Sequence, residues 1–412
     1  MCCMSSRVAV LMLWSACGAA GGGLQGLWEA EVIVDNRRVP FRMEFEGEGG
    51  ALQAAVLDGD NRWRSSSARL EGTRLTVRWD YYDAVLEAAL ADGQLSGTYR
   101  RQGRGRRIEY GFQARRWQAP EASEEAAPNI QGAWRIEAEG NSRGRVMKGL
   151  FRQSGSEVSG TVQRIDGDFG ALEGRWRNGV LRLSHFDLIR ATLLEIRLAA
   201  PARIEGVLDG RQKFTAIPMA EAEAAGLAPP PDPSRYTGVK SPGEVFRFTF
   251  HDLEGKPVSL TDARFRGKAV IVSITGTWCP NCHDEAPFLK TLYDRWRERG
   301  LEVVSVFFEY TGEPARDHEQ IRLFLKRHGI EWTALYAGQI EDGAVERAFP
   351  QLAGFGAFPT TIFLGRDHRV ASIHAGFAGP ANREEHEELK REMTGLVERL
   401  LTDRSAAHLF RR

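Results

Sequence analysis

The sequence predicts a multidomain chain: two all-β units, each a barrel or sandwich, followed by an α/β unit. Three observations carry this. At 412 residues the chain is too long for one ordinary core. Two segments of roughly a hundred residues, the size of one domain, repeat the same order of features. Beyond residue 245 the apolar pattern changes from strict alternation to continuous runs separated by helical stripes.

Residues 1–23 read as an export signal. Arg7 precedes the apolar run Val8–Trp14 and then small residues, a run too short to span a membrane. Cys17 follows Ser15-Ala16 and precedes a glycine-rich stretch, which resembles the lipobox of bacterial lipoproteins and implies lipidation of Cys17. Trp14 stands where that motif usually has Leu, and plain cleavage after Ala20 is the alternative.

The two β units, 24–117 and 130–219, open alike, with "LQGLWEAEV" at 24–32 and "IQGAWRIEA" at 130–138. Apolar and polar residues alternate (Leu75, Val77, Trp79, Tyr81; Leu181, Leu183), broken by Asp-Gly, Asn-Gly and Glu-Gly turns, as in antiparallel hairpins. The opening Gly-x-Trp resembles the first strand of lipocalin-like barrels, with Trp28 and Trp134 as core residues. Acidic and basic residues balance at 55 each, so no bulk field favours nucleic acid. The stretch "RRQGRGRR" (100–107) reads as a solvated hairpin loop, since no aromatic platform interleaves it. Nothing in either unit reads as a catalytic constellation of His, Cys and carboxylate. The spacers 118–129 and 220–244, rich in Pro, Ala and Glu, read as extended and solvated.

The α/β unit, 245–412, begins with a hairpin around "HDLEGK". "KAVIVSIT" (268–275) and "LEVVSVFF" (301–308) are strands buried on both faces. Between them Leu289, Leu292, Tyr293 and Trp296 form a helical stripe stopped by Gly300. Pro314 opens a second helix carrying Ile321, Phe324 and Leu325, ending at Gly329. "TTIFLG" and "RVASIHAG" form a hairpin, and a final helix begins at Asn382 with Glu385 completing a capping box.

The chemistry lies in "TWCPNCHDE". Of five cysteines, Cys2, Cys3 and Cys17 fall in the signal, leaving Cys279 and Cys282. Cys-x-x-Cys is an exchanging dithiol, whereas Cys-x-x-Cys-His is a c-type haem attachment signature with His283 as axial ligand. Cys279 falls where a buried strand turns into a helix, so backbone N–H groups and the helix dipole favour its thiolate. It is expected to be the exposed attacking sulfur, with Cys282 one turn behind to resolve, and His283 to lie on the helix surface.

With "FTFHDLEGKPVSL", "GKAVIVSITGTWCPNCHDEAP" and "FPTTIFL", residues 245–401 resemble the TlpA-type thioredoxin-fold proteins, exported thiol–disulfide oxidoreductases that include cytochrome-c-maturation thioredoxins. The resemblance implies a cis Pro359 that leaves the preceding backbone free to pair with an extended substrate. It also implies Trp278 as the aromatic before the nucleophile, Pro287 as a helix-kinking proline, and substrate contacts at Pro280, Phe358 and Thr360. Glu285 keeps the family's Cys-x-x-Cys-x-x-Glu pattern and is the candidate proton carrier. Thioredoxins proper have a buried acid on the strand before the site, where this chain has Ser273. A peroxiredoxin-type peroxidase needs Thr where Gly276 stands. Haem attachment is disfavoured by a dithiol set between a buried strand and a helix, with Met393 the one methionine of the unit.

The reading is an exported, lipid-tethered oxidoreductase that reduces disulfides of exported proteins, fed by a membrane dithiol transporter. Its expected cofactor is none beyond the redox-active disulfide Cys279–Cys282, with no metal and no nucleic acid. The alternative is a Cu(I)-binding thioredoxin-fold metallochaperone using both thiolates and His374.

Overall fold

A computed structural model describes residues 23–119, 127–140, 145–232 and 235–402. Cys17 and the signal reading of residues 1–22 lie outside the described residues.

Alternating sequence becomes two nine-stranded antiparallel sheets, the first from Gly26 to Arg116 and the second from Gly132 to Pro218. In the first, Asn61–Arg64 pairs with Gln53–Asp58 while Ser67–Glu71, just beyond, pairs with Arg74–Trp79, so the sheet's two ends meet. The second closes into a barrel where Val146–Ser154 pairs with Glu157–Arg164. Trp28 and Trp134 are buried at equivalent places, each indole N–H donating to the carbonyl four residues earlier, Leu24 and Ile130. The two sheets share apolar contacts. Phe186, at the end of a strand of the second, and Leu188 and Ile189 from the loop after it belong to the core of the first, where Tyr99 Oη donates to the Leu188 carbonyl at 2.6 Å.

The spacer 220–244 differs from its expected solvated form. Its Ala/Glu-rich start continues a short helix, Met219–Ala224, with Ala222 buried, because alanine and glutamate favour helix over extended chain. Further on, Gly238–Val239 pairs with Leu352–Ala353.

The third unit is built on a seven-stranded sheet. In chain order its elements are β1 (Thr249–Asp252), β2 (Pro257–Ser259), β3 (Ala269–Thr275), α1 (Pro280–Trp296), β4 (Leu301–Glu309), α2 (Pro314–His328), β5 (Thr333–Gln339), α3 (Ala344–Ala348), β6 (Thr360–Leu364), β7 (Val370–Ala375) and α4 (Arg383–Thr402). The sheet order is β2-β1-β5-β4-β3-β6-β7, with β3, β4 and β5 parallel and β6 antiparallel to β3. Strand periodicity splits β3 between two cores. Ala269 and Ile271 meet α1 and α4 through Leu289, Trp296, Met393 and Val397, while Val270, Val272 and Ile274 meet α3 and the Phe246–Phe248 segment. Gly300 takes φ +94°, ending the turn after α1. The expected Asn382–Glu385 capping box gives way to a longer-range contact, as the Glu385 carboxylate pairs with Lys148 of the second barrel. No helix among the described residues is long and apolar enough to cross a membrane.

Candidate active site

The buried strand β3 ends at Thr275, and four residues later Cys279 caps α1. Its Sγ accepts the Cys282 N–H at 3.2 Å, the bond an N-cap oxygen ordinarily takes. Pro280 follows at the first helical position, where its missing N–H costs nothing. One turn of helix sets the two Cα atoms 5.2 Å apart, and the sulfurs are joined as a disulfide. The expectation that Cys279 is exposed is corrected: it is 4 % exposed and Cys282 1 %.

The Phe358–Pro359 peptide is cis, at the start of β6 next to β3. Thr360, fully buried, donates through Oγ1 to the Ala357 carbonyl at 2.7 Å. Trp278 stacks on Tyr310 at 4.8 Å, meets Phe358 edge-on at 5.1 Å, and anchors its indole N–H on the Phe308 carbonyl at 2.8 Å. Trp278, Cys279, Pro280, Phe358 and Pro359 are thus brought together at one end of the sheet.

Glu285, one turn beyond Cys282, points into the protein. Its carboxylate accepts from Ser273 Oγ on β3 at 3.0 Å and from Thr361 Oγ1 on β6. The helix therefore delivers the acid to Ser273, the position where a strand acid stands in thioredoxins proper. Burial pushes its carboxyl up to about 7, while the two hydroxyl donors oppose the rise. A second buried acid was not expected from sequence. Glu309, at the end of β4, accepts from the Thr277 N–H at 2.8 Å and Thr277 Oγ1 at 2.7 Å, and burial pushes it up to about 8. A strand-end glutamate carries no local sign that it turns inward.

His283 is likewise corrected from surface to interior. It is buried, with Nε2 2.9 Å from the Thr277 carbonyl and Nδ1 2.8 Å from His328 Nε2, and its ring faces Tyr82 of the first barrel at 4.6 Å. Burial first, then the neighbouring His328 and Arg327, hold its pKa well below the usual histidine range. His374 sits on β7 opposite Thr361. Among the described residues no three His, Cys, Asp or Glu side chains could together hold a metal, so a copper reading rests on the two thiolates alone.

The β units also bring ionisable groups together, a cluster that the sequence did not reveal. His185 lies 3.3 Å from Asp58 and 3.1 Å from Asp187, and Arg190 pairs with Asp187 at 2.7 Å. Burial works against the charge on His185, but the two carboxylates outweigh it and push its pKa up to about 10. The one sequence signal was "HFDLIR" (185–190), a turn without glycine that mixes apolar residues with His, Asp and Arg.

A strand–dithiol–helix unit with a cis proline on the adjoining strand defines a thioredoxin-fold protein. The Redoxin family model matches residues 240–390. The chain is 33% identical over 129 residues to the thiol-disulfide oxidoreductase ResA of Geobacillus thermodenitrificans, covering 31% of this chain and 66% of that protein. With ResA of Geobacillus kaustophilus it shares 30% over 139 residues, covering 34% of this chain and 71% of that one. A thioredoxin-family thiol:disulfide interchange protein from Chlorobium tepidum is 22% identical with a TM-score of 0.30, covering 40% of this chain and 99% of its own. The chain spans just under two thirds of the length of the first of these relatives. It belongs to the TlpA-type, ResA-like family of thioredoxin-fold thiol–disulfide oxidoreductases.

Proposed function

We propose that the protein is an exported, membrane-tethered thiol–disulfide oxidoreductase that reduces disulfides of exported proteins. The observation that carries this is the Cys279 sulfur capping α1, its partner one turn on and a buried carboxyl behind. In the reduced form the Cys279 thiolate attacks one sulfur of a substrate disulfide. That S–S bond breaks, a substrate thiolate leaves, and a Cys279–substrate disulfide forms. Cys282 gives its proton to the Glu285 carboxylate and attacks the Cys279 sulfur. The second substrate thiolate leaves, and two electrons have passed from the Cys279–Cys282 pair to the substrate. Glu285 and water return protons to the departing thiolates. The backbone before Pro359 pairs with an extended substrate segment, flanked by Trp278, Pro280, Phe358 and Thr360. A membrane dithiol transporter restores the dithiol, and lipidated Cys17 keeps the two near each other.

The dithiol-reduced chain is expected to reduce insulin disulfides, and Cys279→Ser to lose that activity entirely. Activity surviving in Cys279→Ser would assign the chemistry elsewhere. Direction is read from the potential of the pair against glutathione. Couples of this motif span about −270 to −120 mV, and a value at the upper end reverses the reductase assignment.

A further inference from the structure

Both sulfurs of the proposed reaction are buried, and a turn of the second barrel lies against the residues between them. Asn281 donates through Nδ2 to the Asp166 carbonyl at 2.6 Å and accepts on Oδ1 from Arg190 Nη2 at 3.1 Å. The same guanidinium donates to the Asp168 carbonyl at 2.6 Å, so one arginine ties the turn Ile165–Asp168 to the Cys-x-x-Cys turn. Gly167 forms a parallel bridge with Phe377. The neighbouring Gly376 donates its N–H to the Pro359 carbonyl at 2.6 Å, and Asp168 accepts from the Gly379 N–H at 2.8 Å. The two backbones touch glycine to glycine. Gly167 (φ +120°) and Gly376 (φ +74°) both lack the Cβ that would collide across the contact, with Asn281 and the Phe377 carbonyl in one case and the Ile165 carbonyl in the other.

The fit is close, and apart from an aromatic patch where Trp63, Tyr81 and Tyr82 meet His283, the surrounding interface is polar. Arg316–Asp83 at 2.8 Å, Arg104–Asp342 at 3.2 Å and Lys148–Glu385 join the third unit to the barrels. Solvent-facing ion pairs of this kind hold domains loosely, and polar interdomain contacts part readily.

We infer that the turn Ile165–Asp168, latched by Arg190, is the specificity element of the dithiol site: it admits a disulfide carried on an extended polypeptide that takes Gly167's place along the Phe377 edge, and it shuts out small disulfides. The turn itself shows the ligand chemistry this edge accepts, a backbone with a small residue beside Phe377 and Asn281. This rests on the oxidoreductase reading, so the experiment separates the two. The reduced full-length chain is treated with iodoacetamide, and its reduction of insulin and of glutathione disulfide is followed. Gly167→Leu wedges the contact and Arg190→Gln removes the latch. Each is expected to raise the alkylation rate by about tenfold and to narrow a wild-type preference for insulin over glutathione disulfide. Arg190→Gln carries the comparison alone if circular dichroism shows that Gly167→Leu does not fold. Alkylation rates within about twofold of wild type in a folded variant overturn the proposal, as does wild-type reduction of glutathione disulfide as fast as insulin. If alkylation differs as expected but no chain reduces insulin, the cover stands and the oxidoreductase reading falls.

Discussion

Glu285 is an acid in a place that penalises its charge. The unfolded chain releases this proton near 4.5, the ordinary glutamate value, whereas the native protein holds it to about 7. Between those values the native state binds more proton than the unfolded state, so stability falls as pH rises through the window and is level above it. The drop amounts to about 3 kcal/mol. Glu285→Gln cannot titrate, so urea unfolding of the oxidised variant is expected to show a smaller loss between pH 5 and pH 8. Glu309, raised to about 8, keeps part of the slope with the same sign. An unchanged slope would mean that Glu285 is not buried as a protonated acid. The same substitution removes the proposed proton acceptor for Cys282, so mixed-disulfide resolution should slow and lose its rise with pH through about 7. Sequence spacing placed Glu285 one turn from the dithiol. It could not show its partners, Ser273 and Thr361, which are 12 and 76 positions away and meet it only because β6 lies beside β3.

Along α1, what the sequence revealed and what it hid divide by helix turn. The stripe Leu289, Leu292, Trp296 follows helical periodicity because those residues face their own domain's core. Asn281 and His283 in the first turn look like surface residues and are buried, because the surface there is covered by another unit. Periodicity reports on the partner within a domain and is silent about one that arrives from more than a hundred residues away. His283 gives this element its own pH response. The unfolded chain takes up a proton as pH falls below 6.5, the native helix refuses it, and stability present above 6.5 is lost on acidification. His328, lowered to about 3 by burial and then by Arg327, acts in the same sense. His283→Leu keeps an apolar filling between Tyr82 and Phe324. Whatever it costs at neutral pH, its unfolding free energy should fall less steeply than wild type between pH 6.5 and pH 4. Equal slopes, measured by tryptophan fluorescence in denaturant, would show that the imidazole protonates in the native state.

At the scale of the whole molecule, two kinds of interface meet at the loop 186–190. Toward the first barrel it is apolar: Phe186 packs 4.6 Å from Phe41 and 5.3 Å from Tyr99, with Leu188 fully buried beside them. Toward the third unit it is polar, ending in Arg190 on Asn281. The repeat in the sequence marked two similar barrels, but their shared core follows from a strand end, Phe186, and the loop after it, which strand alternation does not register. Apolar area is what makes units unfold together, and ion pairs in contact with solvent contribute little. The barrels share one apolar core, whereas the dithiol unit meets them through ion pairs and a small aromatic patch around His283. The barrels should therefore melt as one cooperative body and the dithiol unit as another. Phe186→Ala opens a cavity at the apolar junction worth about 3–4 kcal/mol. For a body of this size, that corresponds to a fall of about 6–16 °C in the barrels' transition. Scanning calorimetry of the full chain should find that transition lowered as a unit while the other moves by about 1 °C or less. If the barrels split into separate transitions, or if both transitions drop together, the apolar loop is not what joins the barrels and the polar face is not what leaves the dithiol unit free to part from them.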